Sequence, residues 1–350
     1  MINQKIVHIN FAKGFRGGER QTLLLVQELS KKGYTQKILT RKGAPLAQRI
    51  AELGLNGVEV VEIPKPYIFS LSQIKNEALI HAHETQGAQF AFLGHLLFKT
   101  PFLITRRVDT AIKNNFFTQK MYQHATRVIV LSKAILVEVK KIAPQALVSV
   151  IPSAFSELEV SISTTQAIKQ TYQGKFLIGN IGELDQDIKG QTYLIEAVKK
   201  LLVTYPNLHL LFLGKGKDEA FYKTLSEGYE DSITFAGFVR NVGDYLHAFD
   251  LFVFPSLKEG LGSILLDVMR AKVPIIASDT GGIPDIIVNE KNGLLVKPKD
   301  SDGIARAIEM LYSEEALKKR LTQQAFEDVQ AFSPFHMATR YEKLYKEVLG

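Results

Sequence analysis

The sequence predicts an α/β protein built from two doubly wound, parallel-sheet domains, and three observations lead there. Apolar runs of strand length alternate with amphipathic, helix-length segments almost from end to end, the pattern of βαβ units. The length of 350 residues fits about two domains at roughly 150 residues each. A hydrophobic fraction of 46% with mean hydropathy +0.02 supplies two cores and excludes disorder as the dominant state.

The elements follow in order. In the first half, strands are expected at 5–9, 36–40, 57–61, 79–82, 102–105 and 127–131, and helices at 20–32, 44–53, 86–98 and 132–140. The segment 150–173 then accumulates Pro, Ser and Thr and marks a junction between domains 1–155 and 156–333. The second half restarts the same alternation, with strands at 176–181, 209–214, 233–236, 251–255, 274–278 and 293–296. The amphipathic tail 334–350 is expected to pack back on the first domain. No internal sequence repeat relates the halves. Ligands of open parallel sheets bind beyond the carboxyl ends of the strands, so the two domains are expected to face a central cleft, with function in the loops after strands.

Composition narrows the chemistry. The chain has no cysteine, which excludes disulfides, thiolate zinc sites and a Cys nucleophile. Its beginning, MINQKIVHINFAKG, reads as a strand rather than a signal peptide, so a cytoplasmic protein is expected. The most apolar long run, 88–98, is too short to span a bilayer. Residues 1–170 hold 22 Lys+Arg against 11 Asp+Glu, whereas residues 171–350 hold 21 against 25. This basic first half suits anionic lipid head groups or phosphate-bearing substrates, the alternative being solvated lysines on helix faces. Nucleic acid is not expected, because aromatics do not interleave with the basic residues and no nucleic-acid-binding signature occurs.

Three loops gather residues suited to chemistry. Gly14-Phe-Arg16-Gly17-Gly18-Glu19-Arg20 after the first strand leads into a helix and has the shape of a phosphate or sugar cradle, with a flexible turn as the alternative. It carries neither a dinucleotide nor a Walker fingerprint. In the run from Gly179 through Gly182, Glu183, Asp185 and Asp187 to Lys189-Gly190, Lys189 is a candidate diphosphate ligand. Asp185 and Asp187 resemble a DxD metal pair or, alternatively, helix-dipole partners. Pro255-Ser-Leu-Lys-Glu259-Gly260-Leu261-Gly262-Ser263, followed by Asp267, is the strongest: two carboxylates beside exposed amides can grip vicinal hydroxyls. His83, in LIHAHETQG, is the one histidine placed at the cleft, as base or sugar-hydroxyl partner, against a structural hydrogen-bonding role. No His/Asp/Glu cluster elsewhere shows ligand spacing, and no metal site is expected.

These residues resemble a known family. Glu259 and Asp267, with seven residues between them and following FPS, are similar to the E-x7-E element of the family 4 retaining glycosyltransferases of GT-B fold. The run 276–287 (IASDTGGIPDII) resembles the family's TGG-P-E segment, Phe235-Ala-Gly-Phe238-Val239 its base-binding strand end, Lys189-Gly190 its phosphate-binding KG and Gly17-Gly18-Glu19 its first-domain glycine loop. NGLLVKPKD, 292–300, resembles the segment preceding the last helices. The likeness covers nearly the whole chain and is most specific over 176–300.

The resemblance implies roles. Glu259 would bind hydroxyls of the donor sugar, Lys189 the diphosphate, Asp267 the ribose, the amides of Gly262 and Ser263 the phosphates or sugar, and Phe238 and Val239 the base. Gly17 and Gly18 would close over the diphosphate. The sequence departs from the family in three places: Asp267 stands where Glu is usual, Glu183 where many members have Arg, and Thr105-Arg106-Arg107-Val-Asp109 where many have a His. The acidic loop before Lys189 then needs compensation from Arg16, Arg106 or Arg107, or from a loosely held divalent ion. The implied function is retaining transfer of a hexose-type sugar from a nucleotide-diphosphate donor to a glycan or lipid-linked acceptor in lipopolysaccharide or other cell-envelope polysaccharide synthesis. No cofactor is required. The basic domain would touch acceptor phosphates, through Lys13, Arg16, Arg106 and Arg107, or the inner face of the cytoplasmic membrane. Alternatives are a GT-B-like phosphorylase, a nucleotide-sugar epimerase, or a non-catalytic sugar-nucleotide or glycan-binding protein.

Overall fold

The computed structural model of the chain describes residues 5–350. It divides into two units: one runs to Ala154 and takes in Phe332–Gly350, and the other is Phe155–Ala331. The sequence reading places these two divisions one and two residues later.

Unit 1 opens with β1 (Ile6–Asn10), α1 (Gly17–Lys31), β2 (Gln36–Arg41), α2 (Pro45–Glu52) and β3 (Val58–Ile63). It continues with β4 (Leu79–Ala82), α3 (Thr85–Phe98), β5 (Phe102–Arg106), α4 (Phe116–His124), β6 (Arg127–Val130), α5 (Lys133–Ile142) and β7 (Val148–Val150). The strands form one parallel sheet in the order β3-β2-β1-β4-β5-β6-β7. Every residue of β1 and β4 is buried, as expected of central strands covered on both faces. The order reverses between β1 and β4, so the loops after these strands part to opposite faces and leave a crevice.

Two local outcomes differ from the sequence reading. Helix α1 begins at Gly17 rather than at 20, because the Glu19 carboxylate accepts the Arg16 amide at 2.8 Å and caps a turn that already contains the glycines. Helix α4 and the edge strand β7 are absent from that reading. The consecutive exposed aromatics Phe116 and Phe117 blur the helical period of α4, and β7 has only three residues.

Unit 2 consists of α6 (Ile162–Thr171), β8 (Phe176–Ile181), α7 (Gln191–Leu201), β9 (Leu208–Leu213), α8 (Glu219–Leu225), β10 (Ile233–Gly237) and α9 (Val242–Leu246). Then come β11 (Leu251–Phe254), α10 (Ile264–Arg270), β12 (Ile275–Ser278), β13 (Leu294–Val296), α11 (Ser301–Ser313) and α12 (Glu315–Asp328). Its parallel sheet runs β10-β9-β8-β11-β12-β13, reversing between β8 and β11. Ile178, Leu210, Phe212 and Val253 pack beneath Leu194 and Val198 of α7 and Ile308 and Leu311 of α11. Part of the Ser/Thr-rich junction is ordered as α6, whose N-terminus is capped by Ser161 accepting the Thr164 amide.

The tail forms α13 (Pro334–Leu349), started by Ser333 as cap and Pro334 as first residue. Its Met337, Ala338, Tyr341, Leu344 and Tyr345 enter the core of unit 1 beside Leu25, Leu29, Leu79 and Leu103. Glu342 fastens it to the end of α1 and the start of β2, accepting from Lys32 at 2.6 Å and Tyr34 at 3.0 Å. No helix among the described residues is long and apolar enough to cross a membrane.

Candidate functional sites in the two units

In unit 2 the loops after β8 and β11 meet at the reversal point. Gly190 has φ +63°, and a Cβ there would lie 2.1 Å from the carbonyl oxygen of Pro255. The Leu257 amide donates to the Ile188 carbonyl at 2.7 Å. This contact brings the Lys189 Nζ to 2.8 Å from Glu259 Oε2, with both side chains about four-fifths buried (23% and 18% exposed). Lys189 also lies over the Phe254 ring at 5.6 Å. From the other side the loop after β12 holds Glu259 in place. The Gly282 amide donates to the Glu259 carbonyl at 2.9 Å, and Gly281, at φ +55°, leaves no room for a Cβ, which would sit 2.0 Å from that oxygen. Thr280 Oγ1 donates to Leu257 O. The Thr-Gly-Gly run is thus a clamp on the acidic loop.

Around this pair, Gly260, Leu261 and Gly262 are buried and Ser263 precedes α10. Gly182 donates its amide to Leu213 O, which ties the start of the β8 loop to β9. Phe238, 71% exposed, and half-buried Val239 follow β10 and leave an aromatic face uncovered.

In unit 1, period-two spacing puts His81 of β4 and His83, just beyond the strand's end, on one face, and strand pairing sets His8 opposite His81. His8 Nδ1 and His83 Nε2 are 2.9 Å apart, while His81 bonds Tyr345 Oη through Nδ1 and Thr105 Oγ1 through Nε2, both at 2.6 Å. Burial lowers the His8 pKa to about 4 and takes those of His81 and His83 well below the usual imidazole range; Arg107 pushes the latter two further down. All three rings are therefore neutral at pH 7. The sequence reading sees His83 alone and no ligand cluster, yet one nitrogen from each of the three rings falls within 4.8 Å of the others, near enough to hold a metal ion. The donor set argues otherwise: both His81 nitrogens are already hydrogen-bonded and a guanidinium stands beside the group, where a dication would be repelled. We assign the triad to a neutral network joining β1, β4 and α13.

A cavity of about 620 Å³ lies within unit 1 beyond β4 and β5, lined by Gly18, His83, Glu84, Arg106, Arg107 and Lys113 among others. His83 Nδ1 has no hydrogen-bond partner among the described residues. Glu84 accepts the amides of Phe11, Gln86 and Gly87, and burial raises its pKa. Arg106 Nη2 donates to Thr110 O.

The family model described as glycosyl transferases group 1 matches residues 161–328. Over those residues, just under half of its length, the chain is similar to the group 1 glycosyl transferases. The putative glycosyltransferase EpsD of Bacillus subtilis (strain 168) is 36% identical over 159 residues, covering 45% of this chain and 42% of that protein. The lipopolysaccharide core biosynthesis glycosyltransferase LpsE of Rhizobium meliloti (strain 1021) is 25% identical over 333 residues, covering 92% and 93%. The chain thus spans less than half of the first relative and nearly all of the second. Anabaena HepE, solved in complex with UDP, has the same fold at TM-score 0.87 and 16% identity, covering 98% of this chain and 100% of that one. Two doubly wound, parallel-sheet units are the GT-B architecture the sequence predicts.

Within the region that matches the family model, several expectations change. Asp185 and Asp187 are not arranged as a metal pair: Lys217 bridges them at 3.5 and 3.1 Å, and Asp185 Oδ1 accepts the Asp187 amide. Lys217 is therefore an observed counter-charge of Asp185 and Asp187, a role the sequence reading missed although Gly-Lys-Gly-Lys at a strand end marks it. Asp267 is 8% exposed, and its Oδ1 accepts the Ser156 amide at 2.5 Å. One of its oxygens is thus engaged in joining α10 to the segment before α6. In unit 1, Arg16 is exposed and outside the cavity, and Gly17 is exposed at the helix start, whereas Gly18 lines the cavity against Arg107.

Proposed function

We propose that this protein transfers a hexose-type sugar, with retention of configuration, from a nucleoside-diphosphate sugar held by unit 2 to a glycan or lipid-linked acceptor held by unit 1, in the assembly of a bacterial surface polysaccharide. The observation that carries this is the Lys189–Glu259 pair, 2.8 Å apart at the sheet reversal of the unit that matches the glycosyltransferase family model. HepE of the same fold was solved with UDP-glucose, and the name of LpsE places it in lipopolysaccharide core biosynthesis.

In this reading Lys189 and the amides of Gly262 and Ser263 hold the diphosphate. Glu259 accepts hydroxyls of the sugar, Gly260 and Leu261 shape the floor beneath it, and Phe238 and Val239 cover the base. As the bond from the anomeric carbon to phosphate oxygen breaks, charge grows on the leaving phosphate, and Lys189 and the oriented amides stabilise it. The acceptor oxygen bonds to the anomeric carbon on the same face, and its proton passes to the leaving oxygen. Neutral His83 lines the unit 1 cavity with its buried Nδ1 unpartnered, and in this reading the ring turns to hydrogen-bond a hydroxyl there and position it. No cofactor is invoked, and a chelator should leave turnover unchanged.

The test is a panel of UDP- and GDP-sugars read by thermal shift and by product formation. A stabilising donor and transfer lost by about 10²- to 10³-fold in Glu259→Ala are expected. A panel in which no nucleotide raises the unfolding temperature and no donor turns over would overturn the reading.

A further inference from the structure

The unit 1 cavity has an uneven hydrogen-bonding demand. Its two carboxylates are occupied by main-chain donors: Glu19 takes the Arg16 amide, and Glu84 takes those of Phe11, Gln86 and Gly87. Arg106 is partly satisfied, its Nη2 donating to Thr110 O, whereas Arg107 is left wanting acceptors. Arg107 makes no hydrogen bond and no ion pair among the described residues, and its Nε and that of Arg106 are sealed from water without a partner. The Nη donors of half-buried Arg107 are also without a partner but are not sealed, and an oxyanion in the cavity can take them and offset the cost of burying the guanidinium. Lys113 adds a third positive charge to the lining, and Thr118 and Asn115 add neutral polar groups, while Phe117 and Met121 supply an apolar wall suited to a sugar ring.

We infer that this cavity selects acceptors carrying an oxyanion, a carboxylate or phosphate on a sugar or polyol, seated against the guanidinium of Arg107 with Arg106 and Lys113 beside it. The inference rests on the glycosyltransferase reading for the word acceptor, but not for the anion. The planar fork of Arg107 matches two oxygens of one group, which a lysine at the same place cannot do. Burial lowers the Arg107 pKa, but Glu19 and Tyr341 pull it back up. An incoming anion adds to that pull.

The experiment uses the full chain and four probes: inorganic phosphate, glucuronate, glucose and UDP. Phosphate and glucuronate should bind, measured by calorimetry, at least tenfold more tightly than glucose. Arg107→Gln should weaken both anions tenfold or more with the UDP response retained, and Arg107→Lys should recover only part of the loss. Should Arg107→Gln fail to fold, Arg106→Gln carries the same comparison. Glucose bound as tightly as glucuronate, or phosphate affinity unchanged in the glutamine variant, overturns the inference. Anion binding without any nucleotide response sinks the glycosyltransferase reading and leaves the anion site standing. UDP binding without anion binding does the reverse. Comparing glucose 1-phosphate with vesicles bearing a polyprenyl-diphosphate-linked sugar, as acceptors in the transfer assay, then distinguishes a soluble from a lipid-borne oxyanion.

Discussion

Lys189 and Glu259 are each the other's counter-charge before any donor arrives, so their coupling is measurable without knowing the substrate. A double-mutant cycle of Lys189→Met and Glu259→Gln, read by urea unfolding, should give an interaction of about 0.5–3 kcal/mol, shrinking when UDP is present because the lysine then has a second anion to satisfy. Zero coupling in the free protein would show that the pair does not form in solution. The histidines make a second residue-level prediction. A histidine whose folded pKa lies below its unfolded value binds fewer protons when folded, so stability is present above about pH 6.5 and is lost as the pH falls towards the folded value of about 4 for His8. For His8 alone this shift corresponds to roughly 3 kcal/mol. Thermal unfolding scanned from pH 7 to 4 should show this loss, and His8→Gln should flatten part of it. A flat profile for the native protein would mean that the rings are accessible to protons. His83 was legible as a strand-end residue. Its contact with His8 was not, because 75 residues separate the two and only parallel pairing puts them together.

At the scale of elements, the donor-side site is built by loops that fit each other without spare volume. Gly190→Ala combines a left-handed backbone with a Cβ that would strike the Pro255 carbonyl. It should cost roughly 1–3 kcal/mol or more and displace Lys189, so UDP affinity should fall together with stability. Unchanged stability would refute the close packing of these two loops. Helix α13 makes a different test. Tyr345→Phe keeps the ring in the core but removes the hydroxyl from His81 Nδ1, and urea unfolding should show a loss of about 0.5–1.5 kcal/mol, while UDP binding stays as it was. The glycine motifs at 189–190 and 280–282 were visible in the sequence through a family likeness. Their physical reason, a carbonyl oxygen where a side chain would go, belongs to the contact between loops and has no local signature.

At the scale of the whole molecule, the excess positive charge falls in residues 1–170, most of which belong to unit 1. Unit 1 also exposes Val108, Phe116 and Phe117 around the segment that carries Lys113 and Lys120. The full chain should therefore sediment with anionic vesicles at low ionic strength, ignore zwitterionic ones, and release as salt shortens the screening length from about 10 Å at 0.1 M to about 3 Å at 1 M. Binding that persists unchanged through that range would point to apolar insertion and away from charge.

The alternation of apolar strands with amphipathic helices determined the two doubly wound units, and the tail pattern determined a final helix, because local periodicity records which face of each element is buried. The strand-end positions of Lys189, Glu259 and His83 could also be read from the sequence, since parallel sheets expose those loops. Only the tertiary structure decided that Lys217 answers Asp185 and Asp187, that Asp267 bonds the Ser156 amide, and that Arg107 faces a cavity with its donors unmet. Partnership among charged groups depends on distance in space, and nothing in the spacing of residues along the chain encodes which acceptor a buried donor will lack.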